Sequence, residues 1–286
     1  MTKVVFFGSS EYSCLFLDKL LTLNNFSVDL VVTKTDKPIG RRQIITPNSV
    51  ASFATNHRLP LLQIEDFTPD CQAKIKDCHA SLGLCVAFGP PFFDENLINI
   101  FPHKIVNIHP SPLPKYRGAT PGPWQIINGE TQSAVTFFQI DLLPDHGPII
   151  SQIPFPISPV DTAATFYSKA FSLAAANLES VLANYLKNSS ALQPQNHSQK
   201  SYFPKFTSDS AKIDWSWPEI KIFRFINALN PWPIAWTLVS NQQGQSLKLK
   251  IFSASFDHHL KLNTVQIEGK NKVNWSEISP YYQLIK

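Results

Sequence analysis

The sequence predicts an α/β fold, an open and mostly parallel doubly wound sheet, followed by a second, smaller β-rich domain. Three observations predict it. Up to about residue 187, short apolar runs alternate with amphipathic stretches of helical period. The junctions between them are brief and carry Pro, Gly and Asn. Beyond residue 187 the composition shifts to Asn, Ser and Gln, and the segments that follow are short and rich in aromatic and β-branched residues.

Lys3 to Phe7 reads as a buried strand, Gly8-Ser9-Ser10 as a turn, and Glu11 to Leu23 as an amphipathic helix with Leu15, Leu17, Leu20 and Leu21 facing inward. A dinucleotide fingerprint needs three glycines at this turn and only Gly8 is present, so a nicotinamide cofactor is not expected. Val28 to Thr33 is a second strand. The polar run Lys34 to Gln43 follows, where Pro38 and Gly40 predict an irregular loop, either a solvated connection or a phosphate contact. Pro47 opens a helix capped by Thr46 and running to about His57, and Leu59 to Ile64 is a third strand. Asp70 to Cys78 is a helix, Leu82 to Phe88 a strand, Asp94 to Ile100 a short helix and Lys104 to His109 a strand. This alternation predicts parallel strands joined by right-handed crossovers.

The apolar run Ile105 to Ile108 stops at His109, and prolines then forbid regular structure until Gly118. Polar groups therefore stand at the carboxyl end of a strand, where open parallel sheets bind ligands. Asn107 and His109, two apart, project from one face if the strand runs through both. Asp145 supplies a carboxylate able to orient the imidazole. An amide donor, an imidazole and a carboxylate suit the stabilisation of a tetrahedral oxyanion and the movement of a proton in acyl transfer.

His109-Pro-Ser-Pro-Leu-Pro-Lys-Tyr-Arg-Gly118 resembles the His-x-Ser-Leu-Leu-Pro-x-x-x-Gly signature of the 10-formyltetrahydrofolate-dependent formyltransferase family. The resemblance implies that Asn107, His109 and Asp145 are catalytic and that Ser111, Pro112, Leu113 and Pro114 shape a folate pocket. Leu82 to Gly89 is similar to the family's Val-x-Ala-Tyr-Gly segment, which implies that Phe88 and Gly89 line the same pocket. Asp36 to Arg42 resembles the Asp-(Arg/Lys)-Pro-x-Gly-Arg loop of the methionyl-tRNA formyltransferase branch, which implies that Lys37, Arg41 and Arg42 meet tRNA. Asp141 to Pro148 departs from the family's Asp-x-Gly-Leu-Asp-Thr-Gly-Asp. His146 stands for Thr and Pro148 for the second Asp, which removes an amide donor and stiffens the loop. His146 is read as a surface residue.

After Gly118, a helix from Thr120 to Asn128 and strands Ala134 to Ile140 and Ile149 to Phe155 are expected. Asp161 to about Tyr185 is a long amphipathic helix capped by Asp161 or Thr162. Residues 1–187 are read as a Rossmann-like catalytic domain, 188–203 as a linker, and 204–286 as a tRNA-binding domain. In that last domain a helix, Pro218 to Asn230, precedes strands at Ala235 to Val239 and Leu247 to Ala254. Ile213-Asp214-Trp215 and Asn230-Pro-Trp-Pro233 are again similar to the tRNA branch, which implies an OB-like β-barrel. The passage from Ala254 to Gln266 is brief, so the barrel looks shortened.

Residues 1–200 carry 15 Lys and Arg against 15 Asp and Glu, and residues 201–286 carry 10 against 6. The net charge of +4 thus lies in the last third, a weak pointer to a polyanionic partner. Cys71, Cys78 and Cys85 match no common zinc spacing, so no metal is expected and the thiols are read as small core residues. No apolar run reaches transmembrane length, and Met1-Thr2-Lys3 enters a strand-like run rather than a signal peptide. A cytoplasmic monomer without a membrane partner is expected. The resemblance implies 10-formyltetrahydrofolate as co-substrate and initiator methionyl-tRNA as acceptor. A folate-dependent sugar-amine formyltransferase and a non-catalytic folate- or RNA-binding homologue remain as alternatives.

Overall fold

Strand β1 (Thr2–Gly8) is flanked on both sides by parallel neighbours, and its central residues Val4 to Phe7 are fully buried. The computed structural model that places it describes residues 1–40, 42–188 and 192–285. Helix α1 (Glu11–Leu21) leads to β2 (Phe26–Lys34), the hairpin β3 (Lys37–Ile39) and β4 (Ile44–Thr46), and α2 (Ser49–Asn56). There follow β5 (Leu61–Ile64), α3 (Pro69–Asp77), β6 (Leu82–Val86), α4 (Glu95–Asn99) and β7 (Ile105–His109). Next come α5 (Pro121–Asn128), β8 (Gln132–Gln139), β9 (Ile149–Pro156) and the long α6 (Ala163–Lys187).

These strands form a seven-stranded sheet in the order β5-β2-β1-β6-β7-β8-β9. The first five are parallel and β8 turns antiparallel to β7, so the mostly parallel doubly wound sheet is observed. Chain order reverses between β1 and β6, so the ligand crevice of such sheets opens at their carboxyl ends. Two hydroxyls fix this point. Ser13 donates to the Val86 carbonyl at 2.7 Å, and Ser9 donates to those of Ala87 and Phe88 at 3.0 and 3.1 Å. The Ser13 side chain comes so close to Gly8 that a Cβ there would overlap it, which is why glycine ends β1.

On one side of the sheet the core gathers around Phe7, whose ring makes edge contacts with Phe67, Phe88, Phe93 and Phe101 at 5.1–6.2 Å between centroids. Phe88 thus carries core packing to the strand tips.

Several local expectations are corrected. In α1 the buried residues are Ser13, Phe16, Leu17 and Leu20, whereas Leu15 and Leu21 are exposed, because the apolar stripe is narrower than the leucine count suggests. Helix α2 is capped by Asn48, not Thr46, since the Asn48 side chain accepts from the amides of Val50 and Ala51. Within Lys34 to Gln43, expected to be irregular, Lys37–Ile39 is a strand that pairs with Ile44–Thr46 as the β3–β4 hairpin, with Pro38 opposite Ile45. At α6 the cap is Thr162, one of the two residues expected there, whose hydroxyl accepts the Thr165 amide, while Asp161 accepts from Ser158 and Thr165.

The chain groups into two compact units, one of residues 1–117, 134–154 and 168–201, the other of residues 118–133, 155–167 and 202–286. In the second unit α5 packs along α7 (Glu219–Ala228). The same unit contains β10 (Ala235–Asn241), β11 (Ser246–Ile251), β12 (Ala254–Asp257), β13 (His259–Leu262), β14 (Thr264–Ile267), β15 (Lys272–Asn274), α8 (Trp275–Ile278) and β16 (Tyr282–Ile285). Its five-stranded antiparallel sheet runs β15-β14-β11-β10-β16, and β12 pairs with β13 as a separate hairpin.

Candidate active site

His109 closes β7 and is 6% exposed. Its Nε2 lies 2.9 Å from the Tyr116 carbonyl. A carbonyl can only accept, so the ring carries a hydrogen at Nε2, and Nδ1 is left facing the Asp145 carboxylate at 3.5 Å. Asn107 stands two residues earlier on the same strand face, half-buried, in register with Cys85 of β6 and Phe138 of β8. The structure therefore brings His109 and Asp145 together and sets Asn107 on the same side of β7.

Two backbone conformations hold this pair. Asp145 has φ +53° and Tyr116 has φ +58°, the left-handed region that costs a residue other than glycine about 1 kcal/mol. Residues there are held in place by their surroundings. Around Asp145 those surroundings are dense. The Gln139 amide donates to the Pro148 carbonyl at 2.9 Å, so proline supplies the acceptor this turn uses and its missing N–H is not called upon. His146 is no free surface residue, which corrects the sequence reading. Its Nδ1 lies 2.5 Å from Asp141 Oδ2, and its ring stacks on that of His197 with centroids 4.0 Å apart.

Sequence reasoning missed two participants, Arg117 and Gln195, each 5% exposed. The Arg117 Nη2 donates to Gln195 Oε1 at 2.6 Å and to His197 Nδ1 at 2.9 Å. Burial draws the Arg117 pKa below its ordinary value, and the carboxylates of Asp145 and Asp141 oppose that shift. For His197 desolvation, then the nearby charges of His146 and Arg117, lowers the proton affinity. Arg117 belongs to the quoted signature and could have been flagged there. Nothing in the Asn-, Ser- and Gln-rich stretch around Gln195 marked it.

The Pro-punctuated segment is a locked turn. Ser111 is fully buried, donates to the Lys115 carbonyl and lends its own carbonyl to Thr136 Oγ1 at 2.6 Å. Leu113 is buried and its carbonyl accepts from Gln152 at 2.7 Å, while Pro112 and Pro114 on either side of it are half-buried.

At the reversal between β1 and β6 lies a cleft of about 510 Å³ lined by Ser9, Lys34, Thr35, Lys37, Ile64, Glu65, Phe88 and Pro90. Lys34 ends β2 inside it. Its ammonium sits 3.8 Å above the Phe88 ring and donates to the Pro90 carbonyl. Gly89 follows at φ +72° with open space where a side chain would stand. Lys37 and Arg42 are exposed on the hairpin, and Arg41 falls outside the described residues.

Desolvation, opposed by Cys85 and Asp66 and aided by Lys37, lowers the Lys34 pKa from its ordinary value to about 8. Below pH 8 both folded and unfolded chains hold this proton, and the fold bears the cost of a half-buried ammonium. Between about 8 and the unfolded value the folded chain binds fewer protons, so that cost fades as pH rises. The Tm of Lys34→Met relative to the native chain should therefore hold level up to about pH 8 and fall from there to pH 10. A difference that stays flat, or grows with pH, contradicts the desolvation account. Cys85 beneath the site is buried, which pushes its thiol up to about 12 and keeps it from acting as a thiolate near neutral pH.

Two sequence families match the chain, one described as "Formyl transferase" over residues 2–182 and one as "Formyl transferase, C-terminal domain" over residues 205–264. A methionyl-tRNA formyltransferase from Streptococcus equi subsp. equi is 33% identical over 255 residues, which span 89% of this chain and 80% of that protein. Among solved structures, a methionyl-tRNA formyltransferase from Clostridium thermocellum superposes with a TM-score of 0.65 at 14% identity, covering 93% of this chain and 99% of that one. A sugar 3N-formyl transferase solved with dTDP and 5-N-formyl-THF superposes with a TM-score of 0.63 at 22% identity, covering 95% and 99%. At such identities the two superpositions speak to the fold alone.

Proposed function

The chain belongs to the formyl transferase family, and from that premise we propose that it transfers the formyl group of 10-formyltetrahydrofolate to the α-amine of initiator methionyl-tRNA. It is a transferase of translation initiation, acting in the cytoplasm as a monomer. The observation that carries the reading is the His109–Asp145 pair at the end of β7, with Asn107 on the same strand face.

In this mechanism the amine attacks the formyl carbon and negative charge develops on the formyl oxygen. Asn107 donates its side-chain amide to that oxygen. His109 serves the reaction through Nδ1, because its Nε2–H is committed to the Tyr116 carbonyl. As an N–H, Nδ1 stabilises the oxyanion, and Asp145 offsets the ring's charge and accepts the proton the amine gives up. Collapse of the adduct breaks the bond from the formyl carbon to N10, which takes up that proton as tetrahydrofolate leaves. Fixed donors of this kind help most where charge appears only in the transition state.

The cleft has the volume of small-molecule sites, with an apolar wall from Phe88, Ile64 and Pro90, and the two cations Lys34 and Lys37 outnumber the one anion, Glu65. That composition suits a flat heterocycle carrying acidic groups, as a folate does. Phe88 lines this cleft and is assigned to folate with Gly89 and Ser111 to Pro114, which the resemblance adds and which are not among the residues lining it. Residues 1–187 form the catalytic domain, 188–203 the connection and 204–286 the tRNA-binding domain. Lys37, Arg41 and Arg42 contact tRNA phosphates, which carry most of the affinity in such complexes.

A formylation assay with charged initiator tRNA beside a nucleotide-linked amino sugar tests the proposal. Formyl-methionyl-tRNA should accumulate and the sugar should remain unmodified. Formylated sugar with unmodified tRNA would assign the chain to the sugar-amine enzymes. Binding of folate or tRNA with neither acceptor modified would assign it to non-catalytic homologues.

A further inference from the structure

We infer that Gln195 is the positioning residue for Asp145, and this rests on the assignment of Asp145 as the reaction's carboxylate. The Gln195 side-chain amide has two hydrogens, and its Nε2 donates to the carbonyls of Asp145 at 3.1 Å and Gly147 at 2.7 Å. Both hydrogens are thus spent on the turn that presents the carboxylate. Its oxygen accepts from Arg117, which can only donate, so the orientation of the amide follows from chemistry as well as from the coordinates.

The segment around Gln195 is anchored independently. Gln193 and Ile149 exchange backbone hydrogen bonds of 2.8 and 2.9 Å, fixing the start of β9 beside residue 195. On the other flank the His197 ring lies on His146, which is held by Asp141. Residues 193–197 act as a brace along residues 141–149. Asp145 needs one, because its left-handed φ is a conformation the free chain seldom adopts. Without the brace the turn would relax, and the carboxylate would leave its place opposite Nδ1.

Gln195→Glu separates positioning from mere packing. It keeps the shape and strengthens the pairing with Arg117, but it removes both hydrogens from the Asp145 and Gly147 carbonyls. The variant should lower kcat for formyl transfer on the order of tenfold or more, with KM for methionyl-tRNA changed less than about twofold. In an Asp145→Asn background, read under single turnover with excess enzyme, the same change should add less than about a twofold loss, because residues that act as one unit are non-additive. Hydrogen exchange of the amides in residues 141–147 should accelerate, whatever the activity.

An equal loss in both backgrounds, an unchanged kcat or unchanged exchange would overturn the proposal while leaving the catalytic assignment in place. Wild-type activity of Asp145→Asn by itself would overturn both. Should Gln195→Glu not fold, Gln195→Asn carries the same test. Its amide is too short to reach Arg117 and both carbonyls together.

Discussion

Asp145→Asn is expected to slow formyl transfer on the order of a hundredfold or more while the protein stays folded, since positioned proton acceptors contribute at least that much. The substitution keeps the size of the side chain, removes the charge opposite Nδ1 of His109 and turns one accepting oxygen into a donating amide. Circular dichroism and Tm near native values, together with the lost rate, are the combination to look for. A rate within a few-fold of the native chain would remove Asp145 from the mechanism. His109→Ala should lose a comparable factor in rate and also some stability. The buried Tyr116 carbonyl would lose its partner, at about 1–3 kcal/mol. The two variants therefore separate a residue with a purely chemical part from one that also holds the turn together.

The largest expected effect on stability comes from Gly147→Ala. A Cβ at this position would fall well inside contact distance of the Gln139 backbone carbonyl, and no flexible side chain is there to move aside. Overpacking against rigid backbone costs on the order of 3 kcal/mol. For a chain of 286 residues that corresponds to a fall in Tm of roughly 5 °C. The strain falls on the turn between Asp145 and β9, so formyl transfer at permissive temperature should drop as well. Unchanged Tm by calorimetry would mean that the β8–β9 connection relaxes freely, and the brace argued for Gln195 would then be unnecessary.

Much of this was legible in the residues themselves. Buried parallel strands announce themselves as unbroken apolar runs, and β1, β2, β6 and β7 lie where Lys3 to Phe7, Val28 to Thr33, Leu82 to Phe88 and Lys104 to His109 placed them. Asn107 and His109 share a face because strand geometry repeats every two residues, a rule that needs no tertiary information. Arg117 lay within the quoted signature but drew no attention, since a cation in a proline-rich run reads as solvated. Polar loops were harder. The polar run Lys34 to Gln43 holds Pro, Gly and charges, and the pairing of Lys37–Ile39 with Ile44–Thr46 depends on cross-strand hydrogen bonds that composition does not reveal. Helix caps slipped for the same reason: Asn48 and Thr46 are both competent, and which one accepts is settled by where the chain enters the helix.

By itself, then, the sequence determined the strand order's raw material, the doubly wound class and the imidazole at a strand tip, because short-range periodicity and chain stiffness encode those. Only the folded chain decided that Nε2 of His109 is committed to Tyr116 and that Lys34 is half-desolvated above Phe88. Only the folded chain, too, set Gln195 against the Asp145 turn, fifty residues away along the sequence. These are contacts between segments distant in sequence, whose energies depend on burial and direction, and neither quantity exists until the chain has closed on itself.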